Sequence, residues 1–440
     1  MGWVGSPVVR HARSRQAHLA LRAEVEAWFA EYTTRTADEL RRQGHQLGVI
    51  DTMLRRSLDR IGHELDAMQL DDTAFARCSA LEVQLGVIER YWKFYRERLE
   101  QRDDPSRHRL LAAADEIVWS CFTSLGGVDP TSVPLPYVEP TSSPIATPRT
   151  NVPPGLRTSD KVLADLLGRL PIPLIAFPAS LIGSPWWLAL LAHEVGHHIQ
   201  YDLEPNQALV GKTGDAIAAV TQEAAGRWTP WRFELFADAC SVVAIGTAAI
   251  GAIAELEWGP LAAMCQDRAA YPPAIVRLAT MCAFASELGL SPPALGEERW
   301  RAELAAGPAR PQLDHDLALA PAVARALAGL PVGGQPLRAR VDAEAFGEGG
   351  LGAIRDRLAG GAVAVRRSRR AARLVAAAAF ELHQQMPAGG QAALAETMLA
   401  LVEATCDGQT RTAPDPAGVI EHCVAVFDRR LSDLQPDGDA

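Results

Sequence analysis

Apolar residues recur at helical spacing over the first quarter of the chain and predict long helices there. The apolar positions are Leu19, Leu21, Val25, Trp28 and Phe29, followed by Leu81, Val83, Leu85, Val87, Ile88, Tyr91, Trp92 and Tyr95. Gly44, Gly62 and Gly86 interrupt the pattern, which favours an antiparallel hairpin or a small bundle over a continuous coiled coil. We therefore predict an N-terminal helical domain over residues 1–125.

The next segment, residues 126–160, is rich in proline, serine and threonine and predicts a linker or an extended loop. Its prolines are Pro130, Pro134, Pro136, Pro140, Pro144, Pro148, Pro153 and Pro154. The stretch from Pro134 to Tyr137 can fill a groove as an extended segment, but the composition favours a spacer that crosses the surface.

An uncharged run covers residues 170–192 and resembles a membrane span by hydropathy alone. Prolines divide it into a short apolar strand from Leu174 to Phe177, a turn around Gly183, and the start of a helix. A second apolar run, Ser241 to Ala254, is shorter than a bilayer requires and predicts a core helix. We therefore expect no transmembrane segment.

From residue 296 onward the sequence is rich in alanine and arginine, keeps helical periodicity and carries no catalytic motif. We interpret residues 296–440 as a C-terminal helical domain. Its dense basic run, Arg366 to Arg373, is typical of a solvated helix face, and a site for phosphate or an acidic partner is the less favoured alternative. The helical flanks on both sides also offer surfaces for a protein partner.

The composition narrows the class of protein. With 440 residues and 48% hydrophobic content the chain can bury a large core. A net charge of −10 argues against a general nucleic-acid binder. The seven cysteines are scattered and lack metal-ligand spacing, and the N-terminus shows no apolar stretch of signal-peptide length. We therefore expect a reducing, cytoplasmic location.

One motif carries chemistry: His193-Glu194-Val195-Gly196-His197, within the helix predicted to begin at Ser184 and Pro185. Residues four apart share a helix face, so both imidazoles can bind one metal ion while Glu194 points beside it. This division suits zinc hydrolysis, in which histidines hold the ion and a carboxylate that is not a ligand takes a proton from water.

Two histidines make an incomplete catalytic zinc site, so a third ligand is expected on another element. Gln200 and Leu203 exclude the metzincin spacing, which leaves Glu204, Glu223 and Glu234 as candidates. Glu204 follows the first helix too closely, and Glu223 lies four residues before Arg227.

Glu234 is favoured as the third ligand. Its predicted helix begins with the capping pair Thr229 and Pro230, and Asp238 lies one turn after Glu234 on the same face. An aspartate there can accept the second N–H of a ligating imidazole and fix its tautomer.

The motif followed by Glu234-Leu235-Phe236-Ala237-Asp238 resembles the HExxH and ExxAD pair of gluzincin peptidases, in particular the CAAX prenyl protease and HtpX-like family. The resemblance covers roughly residues 165–290. It implies a zincin-like catalytic core with a small β element, which we place at residues 161–295. Members of that family usually carry transmembrane helices, and none is predicted here.

Tyr271 begins a third segment similar to that family, Tyr271 to Arg277, where members often have a His-Pro-x-x-x-x-Arg stretch. Because Tyr271 stands where the histidine would be, it is a candidate donor to the oxyanion of the reaction. The alternative is that its ring only packs on the following helix.

The predicted fold is therefore mainly α, and the predicted function is a zinc-dependent metalloendopeptidase in which Glu194 activates water to cleave a protein or peptide substrate. The strand before the motif is expected to hold an extended substrate at an exposed edge. Two alternatives stay open: a helical scaffold or regulatory protein that keeps a zinc site without turnover, and a zinc amidase acting on a small molecule.

Overall fold

The computed structural model describes residues 6–35, 40–127, 132–149, 151, 156, 172–204, 207–295, 297–307, 310–361 and 370–405. Within these residues the protein is mainly helical, as the sequence predicts. No helix in this part of the chain combines the length and the hydropathy needed to cross a bilayer.

Four long helices open the chain: α1 (Pro7–Arg35), α2 (Leu40–Asp66), α3 (Ala74–Glu100) and α4 (His108–Ser124). The helices of the central region are α5 (Leu191–Asp202), α6 (Ala208–Thr221), α7 (Ala225–Trp228), α8 (Arg232–Ile245), α9 (Ala248–Glu257), α10 (Leu261–Met264) and α11 (Ala274–Glu287). The later helices are α12 (Glu297–Ala306), α13 (Pro311–Gly329), α14 (Ala353–Leu358), α15 (Ala371–His383) and α16 (Gln391–Thr405).

A three-stranded sheet joins the first helices to the central region. Its strands are β1 (Leu135–Glu139), β2 (Ile145–Thr147) and β3 (Leu174–Pro178). β3 is central, pairing in parallel with β1 and antiparallel with β2. A short hairpin of β4 (Pro331–Val332) and β5 (Gln335–Pro336) lies farther along the chain.

The interpretation of the proline-rich segment as a surface spacer is wrong for the part that forms β1 and β2. Leu135 pairs with Leu174, and Ala146 pairs with Ile175. Pro136 is tolerated because β1 is an edge strand, where one side of the backbone needs no ladder partner. The burial of β1 and β3 along almost their whole length therefore outweighs the proline content.

The hydrophobic core has two parts, and β3 contributes to both. Leu174 and Ala176 pack with apolar residues of α1, α2 and α3, whereas Ile175 and Phe177 pack with the central and C-terminal helices. Successive side chains of a strand point to opposite faces, so one strand can supply two cores.

Helix α4 and the C-terminal helices belong to the second of these cores. Ile117 and Phe122 of α4 are buried in it together with Val375 and Phe380 of α15. The core thus does not divide at residue 125 or at residue 296. The domain boundaries given above stay predictions, and the central region packs as one body with these flanks.

Candidate metal centre

The motif lies on a helix that begins differently from the prediction. Pro185–Leu190 form a 3₁₀ helix, and the α-helix α5 starts at Leu191. The side chain of Ser184 makes no capping hydrogen bond, although its carbonyl oxygen accepts one from the backbone N–H of Trp187 at 3.1 Å. A 3₁₀ turn is a common start for an α-helix. His193 and His197 both lie within α5, so they share one face.

Helix α5 is held close to α8 and to the sheet. A Cβ atom at Gly196 would lie 2.7 Å from Cα of Ala237, which no side chain tolerates, so glycine permits the close approach of the two helices. On the other side, Nε2 of the buried His198 donates to the carbonyl oxygen of Leu174 at 3.1 Å. These contacts fix the position of the motif between α8 and β3.

His193, His197 and Glu234 come together at the facing surfaces of α5 and α8, and their ligand atoms lie within 4.8 Å of one another. Nε2 of His193 is 3.4 Å from Oε2 of Glu234, and Nε2 of His197 is 3.6 Å from Oε1. A tetrahedral ion with bonds of about 2.05 Å separates its ligands by roughly 3.3 Å. The three donors therefore fit a metal ion.

The other two candidate ligands lie outside this group. The Glu204 carboxylate pairs with Nζ of Lys212 at 2.6 Å, and Glu223 is exposed on a 3₁₀ turn, Gln222–Ala224. Only Glu234 of the three reaches both histidines, because it lies in the first turn of α8 facing α5.

Asp238 lies behind His193, as its spacing predicts. Nδ1 of His193 is 2.9 Å from Oδ1 of Asp238, which leaves Nε2 directed at Glu234. The contact is a close ion pair rather than an aligned hydrogen bond. A carboxylate at this distance favours a proton on Nδ1, so Nε2 is the nitrogen that can bind a metal once its own proton is lost.

Arg277 is the residue that sequence reasoning missed, although it ends the third similar segment. It is buried on α11 and donates through Nε and Nη2 to both oxygens of Asp238 at 2.7 Å. Its Nη2 also reaches Oε2 of Glu234 at 3.2 Å, and its Nη1 reaches Oε1 of Glu257 at 2.9 Å. One guanidinium therefore holds the carboxylates of Asp238 and Glu234 in fixed positions relative to each other. In the sequence, this role is signalled only by the arginine that ends the third similar segment.

The charges of the group depend on each other. Burial lowers the pKa of His193, but Asp238 and Glu234 outweigh burial and raise the pKa to about 10. Burial and the neighbouring His193 lower the pKa of His197 to about 3. Burial raises the pKa of Glu234, yet the two histidines and Arg277 lower it overall. Without a metal the carboxylates thus favour the imidazolium form of His193, with an N–H on both ring nitrogens, and a metal ion must displace the proton on Nε2.

Glu194 is buried beside the donors and is not one of them. Burial raises the pKa of its carboxylic acid, and the backbone N–H of Ala146 in β2 donates a hydrogen bond that opposes the shift. Glu194 therefore lies between the candidate metal site and strand β2, in a setting that favours the protonated carboxylic acid more than water does.

A cleft of about 770 Å³ opens over the site. One wall is the segment around β2, the opposite wall comes from α9 and from the loop that carries Arg268 and Tyr271, and the site residues form its floor. The predicted substrate edge needs a correction: β3 is paired on both sides, so within the described part of the chain the outer edge beside the motif belongs to β2.

Tyr271 lies at the rim of this cleft with 42% of its surface exposed. Glu234 and burial raise the pKa of its phenol, with a smaller contribution from Glu194. The ring lies 5.4 Å from the guanidinium of Arg268. Helix α11 begins later, at Ala274, so Tyr271 faces the cleft, and its role in the reaction stays a prediction.

No family model, curated protein or solved structure matches this chain. The gluzincin assignment therefore stays a resemblance carried by the motifs. What the structure itself shows is a His-His-Glu group that could hold a metal ion.

Replacing Asp238 by asparagine tests the carboxylate behind His193. We expect the dissociation constant for Zn²⁺ to rise by about 10- to 100-fold, because the amide orients His193 less strongly. Competition with a chelating dye measures the affinity, and Asp215→Asn, an exposed position on α6, is the matched control. An unchanged affinity with a large drop in melting temperature would instead identify Asp238 as a structural partner of Arg277.

Proposed function

We propose that this protein is a zinc-dependent metalloendopeptidase. The observation that carries the proposal is the pairing of two features in one cleft. Three donors fit a single metal ion, and the carboxylate of Glu194 lies beside them without joining them. A catalytic zinc site has this composition, whereas a structural zinc site fills its fourth position with protein and needs no neighbouring base.

His193, His197 and Glu234 would hold the ion. When bound, zinc supplies Lewis-acid chemistry, lowering the pKa of water and polarising a carbonyl oxygen. Zinc is the favoured metal because two imidazoles and one carboxylate form a common hydrolytic zinc set.

Glu194 supplies the proton transfer. As general base it accepts a proton from the attacking water, and as general acid it returns that proton to the leaving amine. Burial raises the pKa of Glu194, which makes the protonated form that the second role requires easier to reach.

Strand β2 supplies the means of binding an extended peptide. Its outer edge carries no other strand among the described residues, and its residues line the cleft beside Glu194. A peptide that pairs with this edge would have its backbone amides aligned along the metal site. A strand edge that can pair with a peptide favours a peptide substrate over the small molecule of an amidase. The carboxylate of Glu194, which is not a ligand, argues against the scaffold alternative.

Tyr271→Phe tests whether the phenol stabilises the oxyanion. The loss of one such donor in a water-excluded site lowers turnover by about 10²–10³-fold. Because Tyr271 is half-exposed, we expect a smaller loss, about 10- to 100-fold, with little change in KM. Steady-state kinetics on one cleavable peptide measure it, with Tyr201→Phe, another tyrosine of the cleft, as control. If the turnover of Tyr271→Phe stayed within about threefold of wild type, the hydroxyl would have no part in catalysis and Tyr271 would serve only in packing.

The proposed activity is tested with a denatured whole-cell peptide library and terminal labelling of new ends by mass spectrometry. We expect wild type to produce new peptide termini that chelation abolishes and Zn²⁺ restores, and Glu194→Gln to produce none. An identical set of termini from both proteins would refute the proposal. The cytoplasmic location and the identity of any protein partner rest on the sequence alone and remain part of the proposal.

A further inference from the structure

A second groove, of about 710 Å³, lies next to the cleft. Helix α9 separates the two: Ile253, Leu256 and Glu257 line the cleft, whereas Gly251, Ala254 and Glu255 line the groove. At about 100° per residue these two sets face opposite sides of the helix. The groove also takes residues from α10, α12 and the loop before α12.

The lining of this groove is apolar and aromatic. Trp258, Leu261, Met264, Leu295 and Trp300 contribute most of its wall. Trp258 is 54% exposed, and its ring has no aromatic or cationic neighbour within the described residues. A solvent-facing indole beside an apolar channel is a common anchor for a ligand that combines apolar and cationic groups.

The charge of the groove has one sign. Among the described residues, its charged lining residues are Glu255 and Glu303, and no described lysine or arginine lines it. In the described part of the chain, the charge partner of Glu255 is the ring of His383, at 3.4 Å. The side chain of Glu255 is nevertheless 41% exposed. The groove also opens at the C-terminal end of α9, where the helix dipole adds a partial negative charge.

The rim continues from the groove to the cleft. Leu256, 46% exposed, lies on the cleft side and Trp258 on the groove side of the same helix end. A helix is about 10–12 Å wide with its side chains, a distance that three or four extended residues cross. One peptide can therefore occupy both sites.

We propose that this groove is a second binding site for the peptide substrate and that it takes a segment combining apolar residues with a lysine or arginine. The indole of Trp258 binds the apolar stem and the face of the cation, and Glu255 pairs with its charge. The identification of the occupant as substrate rests on the proposed peptidase function. The predicted affinity of the groove for a basic apolar peptide is independent of that function.

The test measures binding without turnover. A fluorescein-labelled octapeptide of alternating leucine and lysine is titrated against Glu194→Gln protein, and fluorescence anisotropy gives the dissociation constant. Introducing Trp258→Ala or Glu255→Gln into this Glu194→Gln protein should weaken binding by roughly three- to fivefold. The matched controls, Leu70→Ala and Glu97→Gln, change exposed residues outside the groove and should alter binding by less than twofold. An octapeptide of leucine and glutamate should bind at least tenfold more weakly.

Two results would overturn the groove assignment: groove variants that bind like the controls, or equal affinity for the acidic octapeptide. Both altered side chains are exposed, and melting temperatures verify folding. Kinetics separate this inference from the proposed function. If wild type cleaves peptides but Trp258→Ala leaves KM unchanged for substrates with a basic segment, the inference fails and the peptidase stands. If no peptide is cleaved but the groove variants lose affinity, the peptidase fails and the groove remains a basic-peptide site.

Discussion

Glu194→Gln is expected to lower turnover by about 10²–10⁴-fold, the usual contribution of a general base, while the protein keeps its metal. The amide has nearly the size of the carboxylate and can still accept the N–H of Ala146, so the cleft should keep its shape. It cannot take a proton from water. The measurements are turnover on one cleavable peptide and zinc per chain by elemental analysis.

Glu204→Gln is the matched control for this variant. It removes the same charge just beyond the end of α5, where Glu204 pairs with Lys212, and should leave turnover within about twofold. If the Glu194→Gln variant kept more than a tenth of wild-type turnover, Glu194 would be excluded as the general base. If the variant lost its zinc, Glu194 would be a ligand, and the assignment of the donor group would be wrong.

Glu234→Ala is expected to remove both the metal and the activity. Of the three donors it supplies the only carboxylate, and two histidines alone leave the ion with too few protein ligands. We expect zinc content to fall from about one ion per chain to below about 0.1 after dialysis against a weak chelator. Turnover should fall to background, because the chemistry depends on the ion.

Glu223→Ala and Glu204→Ala are the controls, since both residues were candidates by sequence and both lie outside the donor group. They should keep about one zinc per chain. Arg277 keeps Asp238 and Glu257 as partners in Glu234→Ala, so the fold should survive, which circular dichroism verifies. Full zinc content in Glu234→Ala combined with metal loss in Glu223→Ala would overturn the ligand assignment.

The candidate site could be read from sequence where the signal is local. His193 and His197 share a helix face because they are four residues apart, and Asp238 follows Glu234 by one turn for the same reason. Glu234 was favoured by a capping pair and a neighbouring aspartate, and the structure does bring it to the two histidines. The strand from Leu174 to Phe177 was equally visible, because its apolar run is bounded by prolines.

Amino-acid composition gave a wrong prediction for a strand whose pairing partner is distant in sequence. Prolines made the segment around Pro136 look like a spacer, yet β1 gains its ladder from β3, almost forty residues later. A proline at a sheet edge costs little, because its missing N–H has no partner to lose. Nor could the sequence show that β2 covers the second edge of β3 and is itself the outer strand beside Glu194 in the sheet that the described residues form.

The sequence by itself determined the helical class, the motif helix and the shared face of His193 and His197, since all three follow from periodicity and spacing within a few turns. Tertiary structure decided which groups surround that motif. Arg277 donates hydrogen bonds to Asp238, which lies 39 residues earlier in the chain. Gly196 allows the close approach of Ala237 where two helices cross, and the backbone N–H of Ala146 in β2 interacts with Glu194. Such contacts depend on the packing of separate elements, for which no local pattern in the chain is a signal.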